Sequence, residues 1–96
     1  RTQLIGANFA WASMQGAMFD EAILDDADLA WAKLQDGSLS RAHLNRASLN
    51  SARLRKTRLE AAKLCGADLR EADLEQASLA VARIALRMRA APCWSG

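Results

Sequence analysis

Large apolar side chains recur at every fifth position of this chain. They are Leu4, Phe9, Met14, Phe19, Leu24, Leu29, Leu34, Leu39, Leu44, Leu49, Leu54, Leu59, Leu64, Leu69, Leu74, Leu79 and Ile84, 17 consecutive positions. Two residues before each stands a small one: alanine at fourteen, and Thr2, Gly37 and Thr57 at the rest. The other three positions of each unit are mostly polar or charged. A helix cannot use this pattern, because five residues advance about 500° and successive leucines would scatter around its axis. A flat strand cannot use it either, since an odd period throws each leucine to the opposite face. Small residue and leucine stay inside together only if the chain turns a corner once per repeat. The pattern therefore predicts short extended sides joined by two-residue bends, wound into a coil whose turns stack over one continuous core.

Ala27-Asp28-Leu29, Ala67-Asp68-Leu69, Ala72-Asp73-Leu74 and Ala7-Asn8-Phe9 carry this pattern in its fullest form. The sequence resembles the pentapeptide repeat family, with its A(D/N)LXX unit, over residues 2 to about 86. The resemblance implies an all-β fold, a right-handed quadrilateral β-helix with four repeats per coil and just over four coils here. At strand spacing such a solenoid is about 20 Å long. Met18, Ile23, Lys33, His43, Arg53 and Arg58 stand where the family has Asp or Asn. These positions point outward, so the departures bear on individual corner hydrogen bonds and not on the fold.

Charge supports a coil of 20 residues. Opposite charges fall 20 apart at Arg1–Glu21, Glu21–Arg41, Asp26–Arg46, Asp36–Lys56, Arg53–Asp73 and Arg55–Glu75, while only Lys33–Arg53 and Lys63–Arg83 are like-charged. The same count gives five opposite against four like at an offset of 15, and four against two at 25. Trp11 and Trp31 are also 20 apart.

Stacked coils leave open backbone edges that need covering. Past Ile84 the next five-residue slot is Arg89, and the spacing of Val81, Ile84, Ala85 and Met88 reads as an amphipathic helix ended before Pro92. We expect a solenoid over 1–84 and a short helical cap or tail over 85–96, with those four residues forming a cap or a dimer face. No comparable cap precedes Leu4, which leaves the first coil open to a missing segment or to end-to-end contact with another chain. The chain begins at Arg1, as a processed chain, a trimmed one or a piece of a longer product would.

Composition narrows the function classes. At 96 residues and a formal net charge of +2, nothing points to nucleic acid or a membrane surface. No run of 18 apolar residues exists to span a bilayer, and no signal peptide is visible. Cys65 and Cys93 are too few for a disulfide scaffold and are expected as reduced thiols of a cytoplasmic protein. The single histidine, His43, has no second ligand at metal spacing and no cysteine partner. Gly6, Gly16, Gly37 and Gly66 fall on turn or inward slots, outside any phosphate loop. No catalytic residue, metal, cofactor or small-molecule substrate is expected, and the chain is read as a non-enzyme.

Two surface features remain. Residues 2–21, 22–41 and 62–81 each carry −2, whereas residues 42–61 carry +4 (Arg46, Arg53, Arg55, Lys56 and Arg58 against Glu60). This belt either pairs with neighbouring coils or offers a basic patch at Arg53, Arg55, Lys56 and Arg58. Trp11 and Trp31 share one corner, beside Ala10 and Ala30, and are the best candidate for a partner contact. The expected function is a non-catalytic structural or protein-protein interaction module. The family resemblance also raises a DNA-mimicking topoisomerase (gyrase) protection factor as the alternative, which requires an acidic surface along several coils.

Overall fold

The computed structural model describes residues 2–79 and the strand at 83–85. The chain winds into four-sided coils. Each outward residue before a leucine pairs in parallel with the one 20 positions on, as in Gln3↔Ile23↔His43 and Asn8↔Asp28↔Ser48↔Asp68. On the first side the pairing lengthens at one end into β1 (Lys63–Cys65), which runs parallel to β2 (Arg83–Ala85) with Leu64 opposite Ile84. The helix expected from Val81 is thus corrected over 83–85, and no helix occurs among the described residues. A fifth pass pairs in parallel register along the edge of β1 and so covers the end of the fourth coil directly. Val81 and Met88 lie outside the described residues.

We number the sides by their inward columns. Face one carries Leu4, Leu24, Leu44 and Leu64, and face two Phe9, Leu29, Leu49 and Leu69. Face three carries Met14, Leu34, Leu54 and Leu74, and face four Phe19, Leu39, Leu59 and Leu79. All leucines from Leu24 to Leu64 are buried, as are most alanines between them. Leu4, Phe9, Met14 and Phe19 at one end, and Leu69, Leu74 and Leu79 at the other, are partly buried against that core. The Phe9 and Phe19 rings meet across the first coil at 5.9 Å.

Each corner is a four-residue turn. The N–H of the small residue donates to the preceding leucine carbonyl, as Ala27 does to Leu24 at 3.0 Å. The third residue has positive φ, near +60° at twelve non-glycine positions from Trp11 to Gln76 and slightly higher at Gly6, Gly16 and Gly66. This is type II turn geometry. Left-handed backbone costs an L-residue about 1–2 kcal/mol. It is held because the same residue also donates its N–H to the next coil, as Asp26 does to Asn45 at 2.9 Å. Asp or Asn before the leucine serves the second corner residue: Asn8, Asp28, Asp68 and Asp73 accept the N–H two residues on at 3.0–3.1 Å. Lys33, Arg53, Arg58 and Ile23 have no side-chain acceptor atom to do this, and Met18 has only a weakly accepting thioether sulfur.

Gly37 stands where other repeats have alanine. A Cβ there would lie 2.8 Å from the Ala17 carbonyl oxygen and 3.1 Å from that of Leu34. One coil on, the buried Thr57 hydroxyl donates to the same Leu34 oxygen at 2.8 Å. Gly37→Ala is expected to lower stability by about 1–2 kcal/mol through overpacking, measured by urea denaturation, whereas Ala17→Gly has no clash to make.

Candidate functional site

Among the described residues no group of His, Cys, Asp and Glu side chains could hold a metal ion. His43 is half-buried on face one, between Ile23 and Lys63 in the parallel ladder. Cys65 is disulfide-bonded, which corrects the expectation of a reduced thiol at this position; Cys93, the other cysteine, lies outside the described residues. No described helix is long and apolar enough to cross a membrane.

The surface charges are largely organised as contacts between coils. Arg46 holds Asp26 through two hydrogen bonds of 3.0 and 3.2 Å, and Arg41 reaches Glu21 at 3.8 Å. Arg55 bonds Asp73 at 2.7 Å and Glu75 at 3.1 Å. These guanidinium bonds hold the Asp26 and Asp73 carboxyls below the ordinary aspartate range. Glu60 is lowered mainly by the Ser78 hydroxyl, with the Ser40 hydroxyl adding to it. At another corner, Asp25 accepts the Asn45 N–H and Asn45 in turn accepts the Cys65 N–H, an amide ladder across three coils. No acid–base pair emerges from any of these contacts.

The four residues of the candidate basic patch are not gathered on one plane. Arg53 projects from face three, Arg55 and Lys56 occupy the corner after it, and Arg58 lies on face four. Arg55 is also committed to two carboxylates.

Trp11 and Trp31 are brought together. They occupy the corner between faces two and three, at positive φ (67° and 63°). Their rings are parallel, with centroids 4.9 Å apart, because stacked coils repeat at strand spacing. The pair stands out from the solenoid, Trp11 68% and Trp31 44% exposed. A tryptophan is a poor residue for a left-handed corner, and aromatic residues left in water are enriched where partners bind.

Sequence reasoning missed what adjoins them. An open depression of about 570 Å³ spreads from Trp31 across face three, lined by Trp31, Gln35, Ser51, Arg53, Arg55 and Asp73 among others. Its opposite rim holds Gln35, whose side-chain oxygen is buried without a hydrogen-bond partner. The signal was present in the sequence, since offsets of 20 place residues 31, 51 and 71 on one corner and 33, 53 and 73 on one face.

Comparison with known proteins places this geometry. The model of pentapeptide repeats matches over residues 2–41, 22–60 and 58–82, with 8 copies. No curated protein sequence matches. Among solved structures, the chain is similar to the pentapeptide repeat protein Rfr23 from the cyanobacterium Cyanothece 51142, with 32% identity and a TM-score of 0.78 over 79% of this chain. It is also similar to alr5209 from Nostoc PCC 7120, with 33% identity and a TM-score of 0.81 over 82% of this chain. A third is HetL, involved in heterocyst differentiation regulation in Nostoc sp. strain PCC 7120, with 32% identity and a TM-score of 0.71 over 85% of this chain. The chain spans 52%, 65% and 38% of these three proteins respectively.

Proposed function

Because the chain belongs to the pentapeptide repeat family, whose members form right-handed β-helices, we propose that it acts as a rigid, non-catalytic protein-interaction module that meets its partner through the Trp11–Trp31 ledge. One observation carries this reading: two large apolar rings are held outward on strained corners where the fold asks for neither size nor hydrophobicity. The stacked pair gains about 0.5–1.5 kcal/mol from ring contact, less than the roughly 2–4 kcal/mol of strain in its two left-handed corners. Stability alone therefore does not account for them.

The DNA-mimic alternative lacks the surface it requires. Residues 42–61 carry +4, so the acidic coils on either side are interrupted. Arg53, Arg55, Lys56 and Arg58 sit where a DNA mimic needs negative charge.

Trp11→Asn with Trp31→Asn is expected to leave the fold intact, because Asn tolerates positive φ better than Trp does. Circular dichroism and the urea midpoint should stay close to those of the wild type. Capture of the partner by the immobilised protein should disappear. If the double variant retains the same bound proteins as the wild type, the ledge is not the interface.

A further inference from the structure

Resting on that reading, we infer that the partner is a short acidic protein segment, and that it lies on face three beside the tryptophan ledge. The outward column of this face reads Ser13, Lys33, Arg53, Asp73, each bridged to the next. Lys33 and Arg53 are like charges one strand spacing apart, both exposed. Neither makes a carboxylate hydrogen bond: Asp73, the nearest carboxylate in the column, acts on Arg53 through its charge alone and is bonded by Arg55 at 2.7 Å. Two adjacent cations without carboxylate bonds repel each other until an anion bridges them. Trp31 stands at the edge of the same face, so an apolar side chain and a carboxylate of one ligand can be met together.

The dimensions select a segment over a globular partner. One face is about 10 Å across and four coils are about 19 Å high. The resulting area, about 200 Å², is far below the roughly 800 Å² per partner of a stable protein–protein interface. It matches about five or six extended residues laid along the solenoid axis. Such a segment would place its carboxylates over coils two and three, because Glu71, Asp73 and Glu75 repel them from coil four. A single-stranded nucleic acid fits less well. Base stacking needs free ring faces, and here each tryptophan covers a face of the other at 4.9 Å.

The test is selection of displayed random heptapeptides on the immobilised protein, followed by fluorescence anisotropy with the enriched peptides and with oligothymidylate. Enriched sequences are expected to combine two or more Asp or Glu with an aromatic or aliphatic residue, and to weaken steeply with salt. Lys33→Gln with Arg53→Gln should lower their affinity at least tenfold, with circular dichroism unchanged, while Arg58→Gln on face four should not. The inference is overturned if nothing is enriched, if the enriched peptides are not acidic, if the face-three variant binds them unchanged, or if oligothymidylate binds more tightly than any peptide. Loss of partner capture in the tryptophan variant together with full capture by the Lys33/Arg53 variant would retain the ledge and remove the acidic segment.

Discussion

Leu44→Ala is expected to destabilise the protein by about 2–5 kcal/mol. Leu44 is fully buried on face one, between Leu24 and Leu64 in the stacked column. Its backbone is fixed from both sides: its N–H donates to Lys63 at 2.7 Å, and the carbonyl of His43 before it accepts from Leu24 at 2.6 Å. The coils cannot close over the missing carbons without breaking that ladder, so most of the cavity stays open. Leu4→Ala removes the same atoms from the first coil, where Leu4 is only partly buried and one described coil packs against it, and should cost less than half as much. Urea denaturation of the two variants, with the wild type as reference, reads the difference. Equal losses would mean that the end coil is as well packed as the centre, contrary to the burial gradient along the stack.

The period of five made most of this fold legible, because only a chain that bends once per repeat keeps an odd-numbered apolar unit on one side. The charge offsets were legible for the same reason. Glu21–Arg41, Asp26–Arg46 and Arg55–Glu75 form as the 20-residue spacing predicts. Arg53–Asp73 gives way to Arg55–Asp73, at an offset of 18. That exchange is a matter of reach: Arg55 leans back from the corner over the face, and the sequence carries no sign of where a long side chain will lean. The corner geometry left little trace either. A run of positive-φ positions normally announces itself through glycine, yet twelve such positions here are other residues, and nine of them, from Trp11 to Lys56, donate their N–H to the neighbouring coil. At the C-terminal end, Val81, Ile84, Ala85 and Met88 satisfy a helical spacing while Ile84 also keeps the five-residue register. Parallel pairing with Lys63–Cys65 decides between the two over 83–85, and long-range pairing of that kind outweighs local periodicity.

For the site, the tryptophan pair was readable from its offset, since any two identical residues 20 apart must stack. Its setting required the faces to be known. Lys33 and Arg53, one of the two like-charged pairs at the 20-residue offset, look like a flaw in the charge pattern until the coil places Trp31 beside them and Arg55 takes the hydrogen bonds of Asp73.

Ala52→Leu is expected to cost about 3 kcal/mol or more, comparable with the loss of a core leucine although the substitution adds apolar surface. Ala52 is fully buried on face three. Its carbonyl accepts from Asp73 at 2.9 Å, and the adjacent Arg53 N–H donates to Ala32 at 2.9 Å. The small column therefore repeats at strand spacing, about 4.8 Å, which leaves room for a methyl group and no more. Three further carbons must either push Leu54 and its neighbours off their rotamers or part the coils, and parting them breaks backbone hydrogen bonds on face three. Ala30→Leu provides the contrast. Ala30 occupies an outward corner next to Trp31, where an added side chain meets solvent and the change should stay within about 0.5 kcal/mol. A shift of the urea midpoint for Ala52→Leu no greater than that for Ala30→Leu would show that the small column has space to spare, and the one-alanine-per-side geometry of the coil would then be wrong.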